Sequence, residues 1–332
     1  MENTLAGRDL LRLLDLTPEE VALVLETAAF QKAAWASGDH EAPLAGQAVA
    51  IILEKPSLRT RNSFEVAAFR LGCHPGVMAD NCSAFSRGET VQDTIKVLQN
   101  FYECIVLRTF AHSKVEEVAA VADVPVVNAL TDGFHPCQIL ADLLTIREHL
   151  GDPRGLTMAY VGDGNNMANS YLEAGALTGM HVRVASPEGY EVDPDVYREC
   201  VAAAERYGTA AKLELLRDPV QAVTGADIVV TDTWTSMGDE AQHDIRLKAF
   251  EGYQVNSGLM AHANPGAIFM HCLPAHRGEE VTDEVMDGPS SVVYDEAGNR
   301  LHAQKAVLSL LMGAPAPEEA LERAAASWAA AR

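Results

Sequence analysis

Long apolar segments are absent from this sequence. No run of 18 apolar residues occurs among its 332 residues, whereas a helix that spans a membrane needs about 20. Residues 1–14 mix acidic and basic side chains into a short apolar stretch, so they lack the apolar core of a signal peptide. We therefore expect a cytoplasmic protein with no membrane partner.

Positive charge is scarce. The chain has 25 Lys and Arg residues against 47 Asp and Glu residues, which makes its formal net charge −22. Nucleic acids and anionic membranes are bound through basic faces, so we expect neither as a partner. An anionic substrate must instead be held by a local group of basic residues.

Cysteine is sparse and dispersed. Six cysteines occur, at positions 73, 82, 104, 137, 200 and 272, with no Cys-x-x-Cys pair. Disulfide frameworks are typical of small secreted domains, whereas this chain is long enough and, at 48% apolar, hydrophobic enough to bury a core without one. We expect free thiols in a reducing compartment.

Apolar runs and helical patterns alternate along the chain. Runs typical of buried strands occur at 48–53, 104–107, 124–130, 156–161, 181–185, 226–231, 267–272 and 291–294. Helical periodicity occupies 60–71, 90–102, 113–122, 137–150, 166–178, 193–207 and 276–287. A capping box at 17–20 predicts one more helix, to about Ala34. This alternation predicts an α/β fold with two doubly wound parallel sheets.

The segment 151–155, Gly-Asp-Pro-Arg-Gly, interrupts the pattern. We expect a domain boundary there, with one domain over 1–150 and a second over 151–299. A helical pattern from about Arg300 to Leu311 follows the last apolar run and can cross back to the first domain. Residues 300–332 are therefore expected to pack on that domain, with the Ala-rich tail as a surface helix or a frayed end.

The segment 54–61, Glu-Lys-Pro-Ser-Leu-Arg-Thr-Arg, follows a predicted strand and precedes a helical pattern. Free backbone N–H groups and the positive end of the helix dipole favour an anion there. The hydroxyls of Ser57 and Thr60 add donors, and Arg59 can bind an oxyanion through two hydrogen bonds. The alternative is an ordinary helix cap flanked by solvated basic residues.

Two further polar positions follow predicted strands. Arg108 ends the run at 104–107, and His135 precedes Pro136, which suits the first position of a helix and places Gln138 on its first turn. A neutral histidine at a helix N-terminus is a good donor to a developing oxyanion. Taken singly, each has a simpler interpretation, as an exposed strand-end arginine or as a packing histidine.

The segment Gly162-Asp163-Gly164 stands where a dinucleotide fingerprint would begin. The third glycine position of that fingerprint holds Met167, and Ser186 with a proline stands where the ribose-binding acid is expected. The two asparagines that follow, 165 and 166, suit the carboxylate of an amino acid better than a pyrophosphate.

The last two segments follow the strands predicted at 226–231 and 267–272. Asp232 can pair with an ammonium group, and the polar residues from 233 to about 244 form a predicted mobile loop that could serve as a lid. Cys272 places a thiol where open α/β sheets bind ligands. A zinc centre of His271, Cys272 and His276 is the alternative, but it would have at most three ligands, all close in sequence.

Four of these segments occur in a recognisable order. They are Ser-Leu-Arg-Thr at 57–60, Phe-His-Pro-Cys-Gln at 134–138, Asp-Thr-Trp-Thr-Ser-Met-Gly at 232–238 and His-Cys-Leu-Pro at 271–274. Over nearly its full length the chain resembles the ornithine carbamoyltransferases. The first two segments are shared with aspartate carbamoyltransferases, and the last two belong to the ornithine branch.

The resemblance implies an activity. A carbamoyl group would pass from carbamoyl phosphate to the δ-amine of L-ornithine, giving citrulline and phosphate, in arginine metabolism. The domain over 1–150 would bind carbamoyl phosphate and the domain over 151–299 would bind ornithine. The resemblance also implies no metal, no organic cofactor, and a homotrimer or an assembly of trimers with active sites at subunit interfaces.

The resemblance also assigns roles to residues. Those expected to bind carbamoyl phosphate are Ser57, Leu58, Arg59, Thr60, Arg108, His135, Gln138 and Arg300. Those expected to bind L-ornithine are Asn166, Asp232, Ser236, Met237, Cys272 and Leu273. Attack of an amine on the carbamoyl carbon develops an oxyanion. The predicted catalytic residues are Thr60, Arg108 and His135, which would donate to that oxyanion, and Cys272, which would accept a proton.

Two positions depart from the family pattern. Leu58 replaces a threonine that many members carry, which costs little if the residue acts through its backbone N–H. The loop 81–89 lacks the glutamine that relatives place near Ala84, which reaches a neighbouring subunit's site. We hypothesise altered carbamoyl phosphate affinity or tolerance of a phosphate-mimicking inhibitor, and unchanged kinetics in an Ala84→Gln variant would contradict this.

Three other functions are the alternatives to carbamoyl transfer. A sister transcarbamylase that uses another amine would be favoured by a changed Ser-Met-Gly loop, and this loop is intact. A nicotinamide-dependent dehydrogenase lacks the third glycine and the ribose-binding acid. A non-catalytic relative would be expected to have lost the Arg, His or Cys of the motifs, and all are present.

Overall fold

The computed structural model describes residues 3–79, 88–235 and 240–329, in which helices and strands alternate. The strands are β1 (Ala48–Leu53), β2 (His74–Ala79), β3 (Cys104–Arg108), β4 (Val126–Leu130), β5 (Thr157–Val161), β6 (His181–Ala185), β7 (Leu213–Leu216), β8 (Ile228–Thr231) and β9 (Ile268–His271). The helices are α1 (Pro18–Ala36), α2 (Leu58–Arg70), α3 (Val91–Leu98), α4 (His112–Val121), α5 (Pro136–Leu150), α6 (Asn166–Thr178), α7 (Pro194–Tyr207), α8 (Pro219–Val223), α9 (His243–Ala249), α10 (Ser257–Met260), α11 (Asp283–Met286), α12 (Val293–Leu311) and α13 (Glu318–Ala329).

The strands form two parallel sheets. The first has the order β2-β1-β3-β4 and the second has the order β7-β6-β5-β8-β9. In each sheet the chain changes direction of winding at one pair of neighbours, β1 with β3 and β5 with β8. Ligands of open α/β sheets bind beyond the carboxyl ends of the strands at such points. The predicted α/β class with two parallel sheets is confirmed.

The central strands read as continuous apolar runs because helices cover both faces of each sheet. In β1, the residues from Val49 to Leu53 are all buried. Ile51 pairs with Val77 on one side and with Val106 on the other. Strands of this kind carry no polar face, so their side chains form the cores of the two units.

The sequence patterns missed two strands, β2 and β7. Both are edge strands. The residues of β2 are mostly half-buried, and in β7 only Leu213 is buried. An edge strand has a neighbour on one side only and tolerates a proline such as Pro75. Neither segment therefore contains the apolar run that marks a central strand.

The prediction of a strand at 291–294 was wrong. Ser291 makes one isolated bridge to Phe269, and α12 begins at Val293. Two valines in succession favour a strand locally, but both Val292 and Val293 are buried as the chain enters a 19-residue helix. Tertiary packing outweighs the local propensity here.

The prediction of a helix at 276–287 was also wrong, except for its end. Only Asp283–Met286 is helical, while Val281 bridges to Val255 and to Arg277. Gly278 has a φ of 90°, a left-handed conformation that a helix cannot contain. The buried Val281 belongs to the core of the second sheet rather than to one face of a helix.

The chain forms two compact units. The first comprises Met1–Leu144 with Gly298–Arg332, and the second comprises Thr145–Ala297. The divisions fall inside α5 and α12, so α12 carries the chain back to the first unit, where α13 packs against α1. This return of the C-terminal helix was predicted and is confirmed. Across the described ranges, no helix is long and apolar enough to cross a membrane.

Candidate functional site

The N-terminus of α2 lies directly after β1, at the change of winding in the first sheet. Ser57 is the N-cap residue, and its Oγ accepts a hydrogen bond from the backbone N–H of Thr60 at 3.2 Å. The hydroxyl of Ser57 also lies 3.0 Å from Oγ1 of Thr60. The cap orients this helix end so that its backbone donors are directed beyond the strand, as an anion site requires.

Two arginines converge on the hydroxyl of Thr60. Arg108, the last residue of β3, donates to Oγ1 at 3.4 Å, and Arg300 of α12 donates to the same oxygen at 3.1 Å. All three side chains are buried. Two buried guanidinium groups at a helix N-terminus, in a chain of net charge −22, make a local positive site that suits an anion.

His135 precedes α5 and is buried beside the same arginines. Burial, followed by the charges of Arg300, Arg108 and Arg59, holds the pKa of His135 well below its usual value of 6.5. The imidazole is therefore neutral at physiological pH, with one ring nitrogen carrying a proton and the other a lone pair. A neutral imidazole can donate a hydrogen bond to an oxyanion without adding another full positive charge to those of the three arginines.

Gln138 lies on the first turn of α5 and is fully buried. Its Nε2 donates to Oδ1 of Asp142 at 2.8 Å, one turn further along the helix. Because that contact orients the amide group, Oε1 is the acceptor that Gln138 can offer to a ligand. Such an acceptor suits an N–H donor such as the NH₂ of a carbamoyl group.

In the second unit, Asp232 follows β8 and interacts with two other strand ends. The thiol of Cys272, after β9, donates to Oδ1 of Asp232 at 3.1 Å. Nδ2 of Asn165, after β5, donates to Oδ2 at 3.0 Å. Asn165 also caps α6, because its Oδ1 accepts from the N–H groups of Met167 and Ala168. One asparagine thus fixes both the helix end and the carboxylate.

His271 supports the backbone beside Cys272. Its Nδ1 accepts a hydrogen bond from the N–H of Leu273 at 2.9 Å, so the other nitrogen, Nε2, carries the proton when the ring is neutral; it faces Glu280 at 3.3 Å. Leu273 has a left-handed φ of 59°. Both ring nitrogens of His271 have protein partners, although one of them lies within 4.8 Å of the ligand atoms of Asp232 and Cys272.

Gly164, the second glycine after β5, serves the packing of the second unit. The N–H of Gly164 donates to the carbonyl of Tyr190 at 2.8 Å. A Cβ on Gly164 would lie 2.3 Å from the backbone at Glu191 and Val192. The second glycine of the partial fingerprint is therefore required by a close approach of two backbone segments, which explains it without a dinucleotide.

Comparison with protein families matches both units. Residues 8–148 match the model of the aspartate/ornithine carbamoyltransferase carbamoyl-P binding domain. Residues 154–311 match the model of the Asp/Orn binding domain of the same family. This chain belongs to the aspartate/ornithine carbamoyltransferase family.

Individual members of this family are similar to this chain over most of their length. The ornithine carbamoyltransferase of Carboxydothermus hydrogenoformans is 54% identical, over 92% of this chain and 98% of the relative. The anabolic ornithine carbamoyltransferase of Pyrococcus furiosus is 51% identical, over 93% of this chain and 98% of the relative. The solved structure of the ornithine carbamoyltransferase from Pyrococcus furiosus has a TM-score of 0.90 and 50% identity, and covers 93% of this chain and 98% of that one.

The structure places the predicted residues of this family member in two groups. In the first unit, Ser57, Thr60, Arg108, His135 and Arg300 lie together at the end of α2, with Gln138 on α5 and with Arg59 close enough to lower the pKa of His135. Leu58 is the exposed first residue of α2. In the second unit, Asp232 and Cys272 are in contact, Leu273 follows them, and Asn166 begins α6.

Three residues of the sequence hypotheses, Ser236, Met237 and Ala84, lie outside the described residues, as does Gly238, the proposed hinge. The roles assigned to the two groups of residues stay predictions. That the residues within each group lie close together is an observation.

Sequence patterns missed several supporting residues. Asn165 was passed over in favour of its neighbour Asn166, although an asparagine directly before a helical pattern is a cap signal that could have identified it. Arg246 on α9 pairs with Asp163 at 2.5 Å and donates to the carbonyl of Trp234 at 2.8 Å, which holds the segment after Asp232. No local pattern marks this arginine, because both its partners are distant in sequence.

Proposed function

We propose that this protein transfers the carbamoyl group of carbamoyl phosphate to the δ-amine of L-ornithine and releases L-citrulline and phosphate. The observation that carries the proposal is the buried contact of Arg108 and Arg300 with Thr60 at the N-terminus of α2. Membership of the carbamoyltransferase family and the identity of 54% to an ornithine carbamoyltransferase support the same activity.

The first unit is proposed to hold carbamoyl phosphate. The phosphate group would accept hydrogen bonds from the backbone at the start of α2 and from Ser57 and Arg59. The carbonyl oxygen would accept from Thr60, Arg108 and neutral His135, which stabilise it more strongly as negative charge develops. Oε1 of Gln138 would accept from the NH₂ group. This proposal assigns carbamoyl phosphate to residues 1–150 with 300–332.

The second unit, residues 151–299, is proposed to hold L-ornithine. The thiol of Cys272 donates a hydrogen bond to the carboxylate of Asp232, so this pair carries a single negative charge that matches one ammonium group. Attack on the carbamoyl carbon requires a neutral amine. The pair is proposed to accept the proton that the amine must lose: the thiol proton moves to the carboxylate of Asp232, and the Sγ of Cys272 takes the proton of the amine. The residues proposed to bind the rest of the amino acid are Asn166, Leu273, Ser236 and Met237.

The chemistry needs no redox partner, because the transfer breaks a C–O bond to phosphate and forms a C–N bond at an unchanged oxidation state. The attacking nitrogen supplies the new bond, and the C–O electron pair leaves with phosphate. Protein hydrogen-bond donors and one proton acceptor supply what the reaction requires. We therefore propose that no cofactor takes part.

The test is a colorimetric citrulline assay with carbamoyl phosphate and L-ornithine, run beside putrescine, lysine and aspartate as amines. We expect product with ornithine alone. A Thr60→Ala variant should lose about 10²- to 10³-fold in kcat, the usual effect of removing one oxyanion donor. Arg198→Ala, at an exposed position on α7, is the matched control and should retain the wild-type rate.

Turnover of another amine would assign the chain to a sister transcarbamylase instead. No product with any amine, from protein that is folded by circular dichroism, would favour a non-catalytic relative. An unchanged rate in Thr60→Ala would contradict the proposed carbamoyl phosphate site even if citrulline forms.

We further propose a homotrimer, or an assembly of trimers, in which copies of this chain associate through the first unit. Large apolar side chains stand exposed there on and near α2 and α3, including Leu58 at 76%, Phe69 at 70% and Phe101 at 64% exposure. Exposed apolar groups of this size often mark protein interfaces. The chemistry also supports a place in arginine metabolism, in a reducing cytoplasm that suits the free thiols.

A further inference from the structure

A series of hydrogen bonds leads from the core of the second unit to the thiol of Cys272. It begins at Tyr160 of β5, which is fully buried, and it passes through Asn165 to the carboxylate of Asp232. We propose that Tyr160 is a positioning residue for L-ornithine, which acts through Asn165 on Asp232. The inference rests on the proposed function, because it concerns the residues behind the proposed ornithine site.

The contacts of the side-chain amide of Asn165 fix its orientation. Oδ1 faces three donors, which are the hydroxyl of Tyr160 at 3.1 Å and the backbone N–H groups of Met167 at 2.9 Å and Ala168 at 3.3 Å. Nδ2 faces Oδ2 of Asp232 at 3.0 Å. A flipped amide would set its NH₂ group against two N–H donors and its oxygen against a carboxylate. Because Oδ1 can only accept, Tyr160 is the donor in its hydrogen bond with Asn165.

The hydroxyl of Tyr160 keeps its proton. Burial, followed by the charges of Asp232, Asp163 and Cys272, holds the pKa of Tyr160 well above its usual value of 10. The phenol is therefore a donor at physiological pH. Because its side chain is fully buried, it donates to Asn165 rather than to bulk water. A buried donor that loses its acceptor is costly, so the two side chains stabilise each other's position.

Each hydrogen bond of the series is donated in the direction of Asp232. Asn165 donates to Oδ2, and the thiol of Cys272 donates to Oδ1 at 3.1 Å, so each oxygen of the carboxylate has a protein donor. Donation by Tyr160 to the amide oxygen strengthens the donation by Nδ2, because successive hydrogen bonds polarise one another. These donors hold the carboxylate in one orientation, and its remaining lone pairs then have a defined direction for an ammonium group.

Another tyrosine of the same unit provides the matched control. Tyr253 is buried, and its hydroxyl donates to the backbone carbonyl of Arg217. Tyr160→Phe and Tyr253→Phe each remove one hydroxyl and one hydrogen bond, so they should lose similar amounts of stability. Only the hydrogen bond of Tyr160 leads to Asp232. A difference in ornithine binding between the two variants therefore measures positioning and not general stability.

The variant Asn165→Asp separates the cap of α6 from the donor to Asp232. Aspartate caps a helix as well as asparagine does, so the N–H groups of Met167 and Ala168 keep their acceptor. Its second carboxylate oxygen would take the place of Nδ2, which lies 3.0 Å from Oδ2 of Asp232. Two negative oxygens repel at this distance, so the carboxylate of Asp232 would lose its orientation.

The experiment measures citrulline formation by the full chain with each substrate varied in turn. In Tyr160→Phe we expect KM for L-ornithine to rise about two- to tenfold, the usual effect of one hydrogen bond, while KM for carbamoyl phosphate is unchanged. Asn165→Asp should raise KM for ornithine about tenfold or more, because the lost hydrogen bond is to a charged group. Tyr253→Phe should have the wild-type KM for both substrates.

A second measurement needs no turnover. Iodoacetamide alkylates a thiol in proportion to its thiolate fraction, and mass spectrometry of the peptide that contains Cys272 follows this reaction against pH. A weaker donor on Oδ2 of Asp232 leaves more negative charge beside the thiol, which disfavours the thiolate. The pH of half-maximal alkylation should therefore rise in Tyr160→Phe, rise further in Asn165→Asp, and keep the wild-type value in Tyr253→Phe.

A wild-type KM for ornithine in Tyr160→Phe would overturn the proposal, as would an alkylation profile that is the same in Tyr160→Phe and Tyr253→Phe. An equal rise in KM for carbamoyl phosphate would also overturn it, because the effect would then be a general loss of structure. If the wild type forms no citrulline, the proposed function is wrong. The alkylation profiles would still decide whether Tyr160 acts on the pair of Asp232 and Cys272.

Discussion

At the scale of single residues, the first unit concentrates positive charge around a histidine that stays neutral. Burial and the charges of Arg300, Arg108 and Arg59 lower the pKa of His135 well below 6.5. In the unfolded chain His135 is neither buried nor close to these arginines. It therefore binds a proton near pH 6.5, whereas His135 of the native protein does not. The neutral His135 therefore lowers the stability of the protein at acid pH. In return, the site has a hydrogen-bond donor that carries no full charge.

This difference predicts a pH dependence. Below about pH 6.5 the unfolded state binds one more proton than the native state, so His135 lowers the free energy of unfolding by up to about 1.4 kcal/mol per pH unit until the native pKa is reached. We expect urea unfolding between pH 7 and pH 5, without substrates, to show a shallower loss of stability in His135→Asn than in wild type. His262→Asn should follow the wild type, and equal slopes in all three would contradict the prediction.

A second residue-scale prediction concerns Cys272. In the proposed mechanism Cys272, which contacts Asp232, acts on the amine side of the reaction. Cys272→Ala should therefore lower kcat about 10²-fold or more, while KM for carbamoyl phosphate stays within a factor of about two. Steady-state citrulline kinetics measure both parameters. Cys200→Ala, at a buried cysteine of α7, should keep the wild-type kcat. A rise in KM for carbamoyl phosphate with no change in kcat would contradict the prediction, because it would show that Cys272 helps to bind carbamoyl phosphate.

At the scale of elements, Ser57 caps α2 and is also proposed to bind carbamoyl phosphate. The hydroxyl of Ser57 satisfies the N–H of Thr60, and loss of such a cap costs about 0.5–2 kcal/mol. We expect Ser57→Ala to lose that amount in urea unfolding and also to raise KM for carbamoyl phosphate. Thr90 caps α3 in the same way and is the matched control. Thr90→Ala should lose comparable stability and leave KM unchanged, and a rise in both variants would refute a specific role for the α2 cap.

Two glycines show how the same substitution has opposite effects in different elements. Gly298 lies in α12 with open space around it, so Gly298→Ala should stabilise the protein by about 0.5–1 kcal/mol. Gly164→Ala would place a methyl group against the backbone of residues 191 and 192, and should destabilise by about 3 kcal/mol or more. Thermal unfolding midpoints should move in opposite directions, and a neutral Gly164→Ala would show that these segments separate easily.

At the scale of the whole molecule, the prediction concerns assembly. Phe69 is a large apolar side chain exposed on α2, which no monomer requires. We expect light scattering after size exclusion to give three times the mass of one chain, or a multiple of it. Phe69→Glu should shift the protein towards monomer, whereas Tyr294→Glu, equally exposed on α12 in the second unit, should not. A monomeric wild type, or a Phe69→Glu trimer, would exclude this surface.

Much of the fold and of the candidate site could be predicted from local patterns. The alternation of apolar runs with helical periodicity located seven of the nine strands in the described residues, because these seven are apolar and buried, including the edge strands β4 and β9. Short polar motifs at 57–60, 134–138, 232–238 and 271–274 indicated the carbamoyltransferase family, which the comparisons confirm. The errors fell at the half-buried edge strands β2 and β7 and at 276–294, where local propensity and final packing disagree.

The sequence by itself determined which residue types follow each strand and which residue caps α2. It also determined the excess of acidic residues, so that an anion can be bound only at a local group of basic residues. These depend on neighbours within a few positions, where periodicity and backbone chemistry act. Only the tertiary structure decided that Arg300 donates to Thr60, 240 residues away, and that Asn165 rather than Asn166 supports Asp232. It also placed His243 beside Glu279. Such contacts depend on how separate elements pack, and no local pattern encodes the distance between two distant strand ends.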